Sequence, residues 1–297
     1  MQRLHRVTTD RSHRRDLHVF AFDHRSQILE LARQAGADPE RIPALKALFV
    51  RAVRETQQKK ADEGRQINVG ILADQRFGQD ALNAATGRGW WIGRPVELPG
   101  SLPVRFEYGA SVAAQLHTWP LEHIVKCLVQ YDVDHPEHIR ADQEERMAGL
   151  YESVQVSGHD LLLEIIPPGV SAAEHDDKVI RGIERLYKLG VMPEWWKIGA
   201  LSPDGWRRLD ALIDEYDPHC KGVVLLGLGA PLPELVQGFE HVPASRYCRG
   251  FTVGRSIFNE PALDWLAGRI DDGELVSRIR NNFEYLIDGW QAMRRRK

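Results

Sequence analysis

Cysteine is scarce in this chain, and the three that occur, Cys127, Cys220 and Cys248, are odd in number and too far apart for a CxxC pair. That spacing excludes a disulfide framework and a thiolate metal site, and a reduced, cytoplasmic setting fits it best. Long apolar runs are missing as well. Stretches such as GVVLLGLGA are far too short to span a bilayer, and the Arg- and His-rich start has no apolar segment behind it. Neither a membrane protein nor a secreted one is expected. Net charge is nearly lacking too: 39 Lys and Arg stand against 42 Asp and Glu, a balance of −3 that supplies no basic field for nucleic acid. What basic excess there is lies at the ends. Residues 1–16 carry five Arg against two Asp and the chain closes RRRK, so flexible basic tails are expected at 1–16 and 291–297 around an acidic body.

What is present is a repeating alternation. LHVFAFDHR (17–25) is a short apolar run that ends in charge, and Leu45, Leu48, Phe49, Ala52 and Val53 then form one helical stripe within Pro43 to Gly64. QINVGILAD (66–74) is a second strand, followed by DALNAAT as a short helix, and the Trp-, Gly- and Pro-rich stretch over 89–108 holds a third. HIVKCLVQYD (123–132), LLLEIIPP (161–168), WWKIGAL (195–201), GVVLLGLG (222–229) and YCRGFTVGRSIF (247–258) complete a set of eight. Amphipathic segments separate them. One has Met147, Leu150, Tyr151 and Val154 on a face, another Val179, Ile180, Ile183, Leu186 and Tyr187, and a third opens with Ser202 as N-cap and Pro203 at the first helical position. Near-continuous apolar strands alternating with helices predict a parallel sheet covered by helices, and the count of eight predicts a single α/β domain over 17–290, a (β/α)8 TIM barrel. A doubly wound open sheet is the alternative.

In such a barrel, chemistry gathers at the C-terminal ends of the strands. The polar residues set into those ends are Asp23 and Arg25, Asp74 and Arg76, Arg94, Lys126, Glu164, Lys197 and Arg255. Each alone can be read as a salt bridge filling the barrel. Together, two lysines and a glutamate on neighbouring strands four, five and six are the outfit of a Schiff-base enzyme. A lysine becomes a nucleophile when desolvation or a second cation lowers its pKa, and Lys126 is expected to be that cation for Lys197. Glu164 between them is expected to move the protons of imine formation. GLGAPL (227–232) has Leu232 where a dinucleotide fingerprint needs its third glycine, which argues against a nicotinamide site. Gly227 and Gly229, with Gly254 and Arg255, suit a phosphate-binding end, or else tight turns. DVDHPEHIRAD (132–142) has no tight metal-ligand spacing, so neither a metal nor another cofactor is expected.

These residues resemble the class I aldolases of the tagatose-bisphosphate group. FDHR is similar to that group's first-strand DQRG, ILADQRFG to its ILLDPEYG, VKCLVQYDVD to its fourth-strand lysine segment ending YYDVD, LLLEI to its fifth-strand glutamate, and TVGRSIF to its GRA phosphate segment. EWWKIGALSPDGW and CRGFTVGRS resemble, over nearly the whole chain, the aldolase-like domain that follows a sugar kinase in some inositol-catabolism proteins. That resemblance implies cleavage of 2-deoxy-5-keto-gluconate 6-phosphate to dihydroxyacetone phosphate and malonate semialdehyde. It assigns Lys197 as the Schiff-base lysine, Lys126 and Glu164 as its helpers, Asp23 as the first-strand acid, and Gly254 with Arg255 as the phosphate clamp. His24 and Ser26 replace Gln and Gly of the first motif, and LLGLG stands where the tagatose group has LSAG, which argues against a ketohexose bisphosphate. Arg25, Arg76 and above all Arg94 are the candidates to meet the substrate carboxylate, with a salt bridge to Glu97 as the other use of Arg94. The alternatives are an aldolase for another ketose or sulfo-sugar phosphate and a non-catalytic barrel that binds a phosphorylated metabolite. The partner expected is a phosphorylated small molecule, with no nucleic acid, no membrane, and a homo-oligomer possible.

Overall fold

The computed structural model describes residues 16–107, 109, 111–171 and 173–295. Strands β1 (Leu17–Ala21), β2 (Asn68–Leu72), β3 (Trp91–Pro95), β4 (His123–Val129), β5 (Leu161–Ile165), β6 (Trp195–Ile198), β7 (Gly222–Leu226) and β8 (Cys248–Val253) are joined in chain order into a closed barrel. Each strand is short and buried along nearly its whole length, as a strand covered on both faces must be. Ten α-helices alternate with the strands among the described residues: α1 (Ser26–Gln34), α2 (Ile42–Asp62), α3 (Gln75–Ala85), α4 (Val112–Leu116), α5 (Glu137–Ser157), α6 (His175–Lys188), α7 (Pro203–Tyr216), α8 (Leu232–Gly238), α9 (Arg255–Leu266) and α10 (Asp272–Arg294). This is the (β/α)8 barrel that the alternation predicts, and not the open doubly wound sheet. Of the expected basic tails, residues 1–15, 296 and 297 lie outside the described residues, while α10 continues through Gln291 to Arg294.

Internal contacts group the chain into two units. The first runs up to Arg94 and takes in Leu226–Glu240 and everything from Gly250. Here β1 pairs in parallel with β2 and with β8, so that Val19 lies opposite both Gly70 and Thr252. On the helix side of β1, the Phe20 ring lies 5.2 Å from those of Phe22 and Phe49, 6.3 Å from Phe258 and 6.0 Å from Phe283, which fastens α2, α9 and α10 to the strand. Asp16 accepts from Trp290 Nε1 at 2.9 Å and from Arg294 Nε at 3.0 Å, tying the end of α10 to the start of β1.

His18 belongs to the same outer face of β1 and is fully buried, 5.3 Å from the Phe251 ring. Burial pushes its imidazole from 6.5 down to about 4, against the opposing pull of Asp16. Below pH 6.5 the unfolded chain takes up a proton at this position that the folded chain refuses until about pH 4, so stability falls as the pH drops through that window. Wild type is expected to lose about 2 kcal/mol more than His18→Gln between pH 7 and pH 5 in chemical denaturation. Equal losses in both proteins would remove His18 as the cause.

The second unit comprises Pro95–Leu225 with His241–Arg249. The β5–β6 register sets Leu162 beside Trp195 and Glu164 beside Lys197, with Val224 of β7 next to Lys197. Strand alternation then assigns the faces. Trp196 points to the helices, where its Nε1 donates to the Tyr187 hydroxyl of α6 at 2.8 Å, and Tyr187 stacks on Tyr216 of α7. Trp195 and Lys197 share the opposite face. At the start of β6, Trp195 Nε1 donates to Asp160 at 3.2 Å, and Glu194 accepts from the Leu161 N–H at 2.7 Å. The N-terminal boundary of α7 is built as the sequence predicts: the Ser202 side chain accepts from Gly205 N–H and Pro203 opens the helix. The helices Ser26–Gln34 and Leu232–Gly238 go beyond what the sequence alternation predicts, and both are lightly buried. Only Ile28 and Ala32 of α1 are buried, and no residue of α8 is.

Candidate active site

In the unit of Pro95–Leu225, four charged side chains form one row. Lys197 Nζ lies 3.0 Å from one carboxylate oxygen of Glu164, and Lys126 Nζ lies 3.2 Å from the other. Lys126 Nζ also donates to Glu97 Oε1 at 2.7 Å. The row is thus Glu97, Lys126, Glu164, Lys197, alternating in sign, and none of the four is more than 6% exposed. The register explains how one carboxylate reaches both amines. Glu164 is level with Leu128 and Lys197, whereas Lys126 is level with Leu162, one inward-facing layer earlier, and its long stem carries the ammonium up. Four buried charges are tolerated here because each meets an opposite one.

Glu97 is the member that sequence reasoning assigned only as a possible partner of Arg94. It sits in an antiparallel hairpin after β3, where Glu97 bridges Phe106, Leu98 N–H donates to Arg105 O at 2.7 Å and Glu107 N–H to Val96 O at 2.8 Å. Val96 N–H in turn donates to the carbonyl of Lys126 at 3.0 Å, so the residue next to Glu97 is fastened to the backbone of the lysine that Glu97 meets. The sequence signal was faint. In a Pro- and Gly-rich stretch, an acidic residue between Val96 and Leu98 reads as solvated loop.

The loop after β6 carries a second feature that the sequence does not announce. A Cβ at position 199 would lie 2.6 Å from His175 Nε2, so a side chain there would require that imidazole to move aside. Asp176, the next residue of α6, accepts from the Ser202 N–H at 3.2 Å and from its hydroxyl. The start of α6 is therefore clasped to the segment that follows Lys197. Burial lowers the pKa of His175, with Asp176 opposing it.

In the other unit, Asp23, Arg25, Asp74 and Arg94 are all buried. Asp74 is fully enclosed. One of its oxygens pairs with Lys46 Nζ of α2 and the other accepts from Phe77 N–H at 2.9 Å as the N-cap of α3. Both oxygens of Asp74 thus serve the fold, and the carboxylate presents no open face to a ligand. Lys46 also donates to the carbonyl of His24 at 3.3 Å. Burial pushes its ammonium below the ordinary lysine range, and Asp74 opposes that shift. Arg94 Nη2 donates to Gln75 Oε1 at 2.7 Å. Arg76 is exposed on the first turn of α3, its guanidinium 5.0 Å from the centre of the Phe77 ring. After β7 the chain turns through Leu228 and Gly229, both with positive φ, and Arg255 Nη2 donates to the Leu228 carbonyl at 2.8 Å. Gly254 is the N-cap of α9, and Gly227 packs against Val253. Among the described residues, no three His, Cys, Asp or Glu side chains are grouped as a metal site requires.

An eight-stranded parallel barrel with polar groups at the strand ends defines the class as TIM barrel, a fold common among enzymes. The chain belongs to the family described as uncharacterized protein conserved in bacteria (DUF2090), which matches residues 1–294. No curated protein matches it.

Proposed function

We propose that this protein is a class I aldolase that cleaves a phosphorylated keto sugar acid, 2-deoxy-5-keto-gluconate 6-phosphate, to dihydroxyacetone phosphate and malonate semialdehyde. One observation carries the reaction class: a buried lysine amine, Lys197, 3.0 Å from a carboxylate whose second oxygen faces another buried lysine. The substrate rests on the sequence resemblance. In this reading Glu164 takes a proton from Lys197 as its amine adds to the substrate ketone and returns it to the carbinolamine hydroxyl, which leaves as water, and Lys126 offsets charge beside it. The protonated imine then accepts the electrons of the breaking C–C bond as a base takes the proton of the hydroxyl two carbons away. Reprotonation of the enamine and hydrolysis release dihydroxyacetone phosphate. The imine is its own electron sink, so the scheme uses no cofactor. A cytoplasmic location accords with this chemistry, and no helix among the described residues is long and apolar enough to cross a membrane.

The test is borohydride reduction in the presence of dihydroxyacetone phosphate, followed by peptide mass spectrometry. A single adduct on Lys197, undiminished by EDTA, is expected. Labelling at a different lysine, or activity lost to EDTA and restored by a divalent cation, would overturn the reading. The phosphate is assigned to Arg255 and the N-terminus of α9, where helix N–H groups and a guanidinium favour an anion. Arg255→Ala is expected to weaken binding of the phosphorylated substrate by about 2 kcal/mol while sparing a non-phosphorylated analogue. Equal weakening of both would deny Arg255 that role.

A further inference from the structure

The row of four charges raises a question that the aldolase reading leaves open: why one lysine and not the other forms the imine. Lys126 and Lys197 are both primary amines on inward-facing positions of neighbouring strands, both are buried, and both touch Glu164. The row holds two carboxylates and two amines, but the carboxylates are not shared evenly between the lysines. Glu164 alone does not choose between them, since it offers one oxygen to each at nearly the same distance.

Glu97 makes the choice. It stands 2.7 Å from Lys126 Nζ, so Lys126 lies between two carboxylates, whereas Lys197 pairs with one. We infer that Glu97 is a positioning residue that fixes the roles of the two lysines, holding Lys126 as the ammonium and leaving Lys197 as the amine that attacks a carbonyl. The inference rests on the aldolase reading for the meaning of that attack, and on the geometry for its direction. With Glu97 in place the proton is cheaper to keep on Lys126, because two anions surround it; the charge-assisted contact from the hairpin is what separates the two amines. Glu97 reaches Lys126 from the hairpin, whose base is bonded to the Lys126 carbonyl through Val96 N–H. A carboxylate so anchored cannot follow Lys197 in place of Lys126.

The test measures the reactivity of each amine without any sugar. Brief reductive methylation with formaldehyde and cyanoborohydride at neutral pH, read lysine by lysine by mass spectrometry, is expected to modify Lys197 of the wild type faster than Lys126. In Glu97→Gln, which keeps the shape and loses the charge, methylation of Lys126 at neutral pH is expected to rise about tenfold, the equivalent of one lost charge-assisted contact. In the Lys126→Met background the same Glu97→Gln change is expected to leave Lys197 reactivity where it was, because Lys126 is the lysine that Glu97 meets. Unchanged Lys126 methylation in Glu97→Gln, an effect on Lys197 of equal size in both backgrounds, or Lys126 reacting first in the wild type would each overturn the inference. The wild-type order needs no variant, so a poorly folding Glu97→Gln chain leaves it decisive. A wild type that gives no dihydroxyacetone phosphate adduct, together with the expected rise of Lys126 methylation in Glu97→Gln, would refute the aldolase reading and leave the role of Glu97 standing.

Discussion

On the aldolase reading, Lys197→Met is expected to fold as the wild type does, to give no borohydride-trapped adduct, and to lose more than about 10⁴-fold in kcat/KM, since removal of a covalent nucleophile would abolish the reaction path and not merely weaken it. The fold should survive for a specific reason. Deleting one member of a buried ion pair is usually damaging because it strands the other charge, but Glu164 retains Lys126 at 3.2 Å when Lys197 is gone. Methionine also approximates the stem of lysine in volume, so β6 keeps its packing. The thermal midpoint and the loss of turnover are therefore expected to come apart, with the midpoint nearly constant. Lys126→Met provides the contrast. It removes the cation that both Glu97 and Glu164 meet, so a drop in stability should accompany any loss of activity. A Lys197→Met protein that still cleaves the keto-acid phosphate would remove Lys197 from the chemistry outright, and a grossly unfolded one would make its place in the row structural.

How much of this arrangement could be read from the sequence follows from how far apart its members lie. The eight strands were legible because each is a short apolar run between helical stripes, and a parallel sheet buried on both faces writes its pattern into every residue. Lys126, Glu164 and Lys197 stood out for the same reason in reverse, as charged residues inside runs that otherwise want Val or Ile. Glu97 did not stand out, because its burial is created by a hairpin whose partner strand, around Phe106, has no apolar alternation of its own. Lys46 was hidden differently. It lies within an amphipathic helix where lysines are ordinary, and only its spacing of three, four and seven from Phe49, Val50 and Val53, all buried, sets it on the inward face. Asp74 was legible as a polar strand end but not as a structural one, since its two partners, Lys46 and the N–H of Phe77, are supplied by different helices.

The Lys46 and Asp74 pair carries the second large effect, and it falls on stability. Both side chains are 0% exposed, so replacing Lys46 with methionine leaves a carboxylate buried without its cation. Breaking such a pair from one side costs about 3–5 kcal/mol, because the remaining charge has no water to turn to. The loss should be sharper than the deletion of an ordinary core methylene, for Lys46 also holds the carbonyl of His24 at 3.3 Å and with it the segment Asp23 to Arg25 at the end of β1. Adding Asp74→Asn removes the stranded charge while its side-chain oxygen can still accept from Phe77 N–H as the cap of α3. The double variant Lys46→Met with Asp74→Asn is therefore expected to be more stable than Lys46→Met alone by at least about 2 kcal/mol, although it carries one more substitution. Chemical denaturation of the wild type, both single variants and the double variant gives the coupling energy directly. A Lys46→Met chain within about 1 kcal/mol of the wild type, or a double variant no more stable than that single one, would show that the pair is not what holds β1, α2 and α3 together at this point.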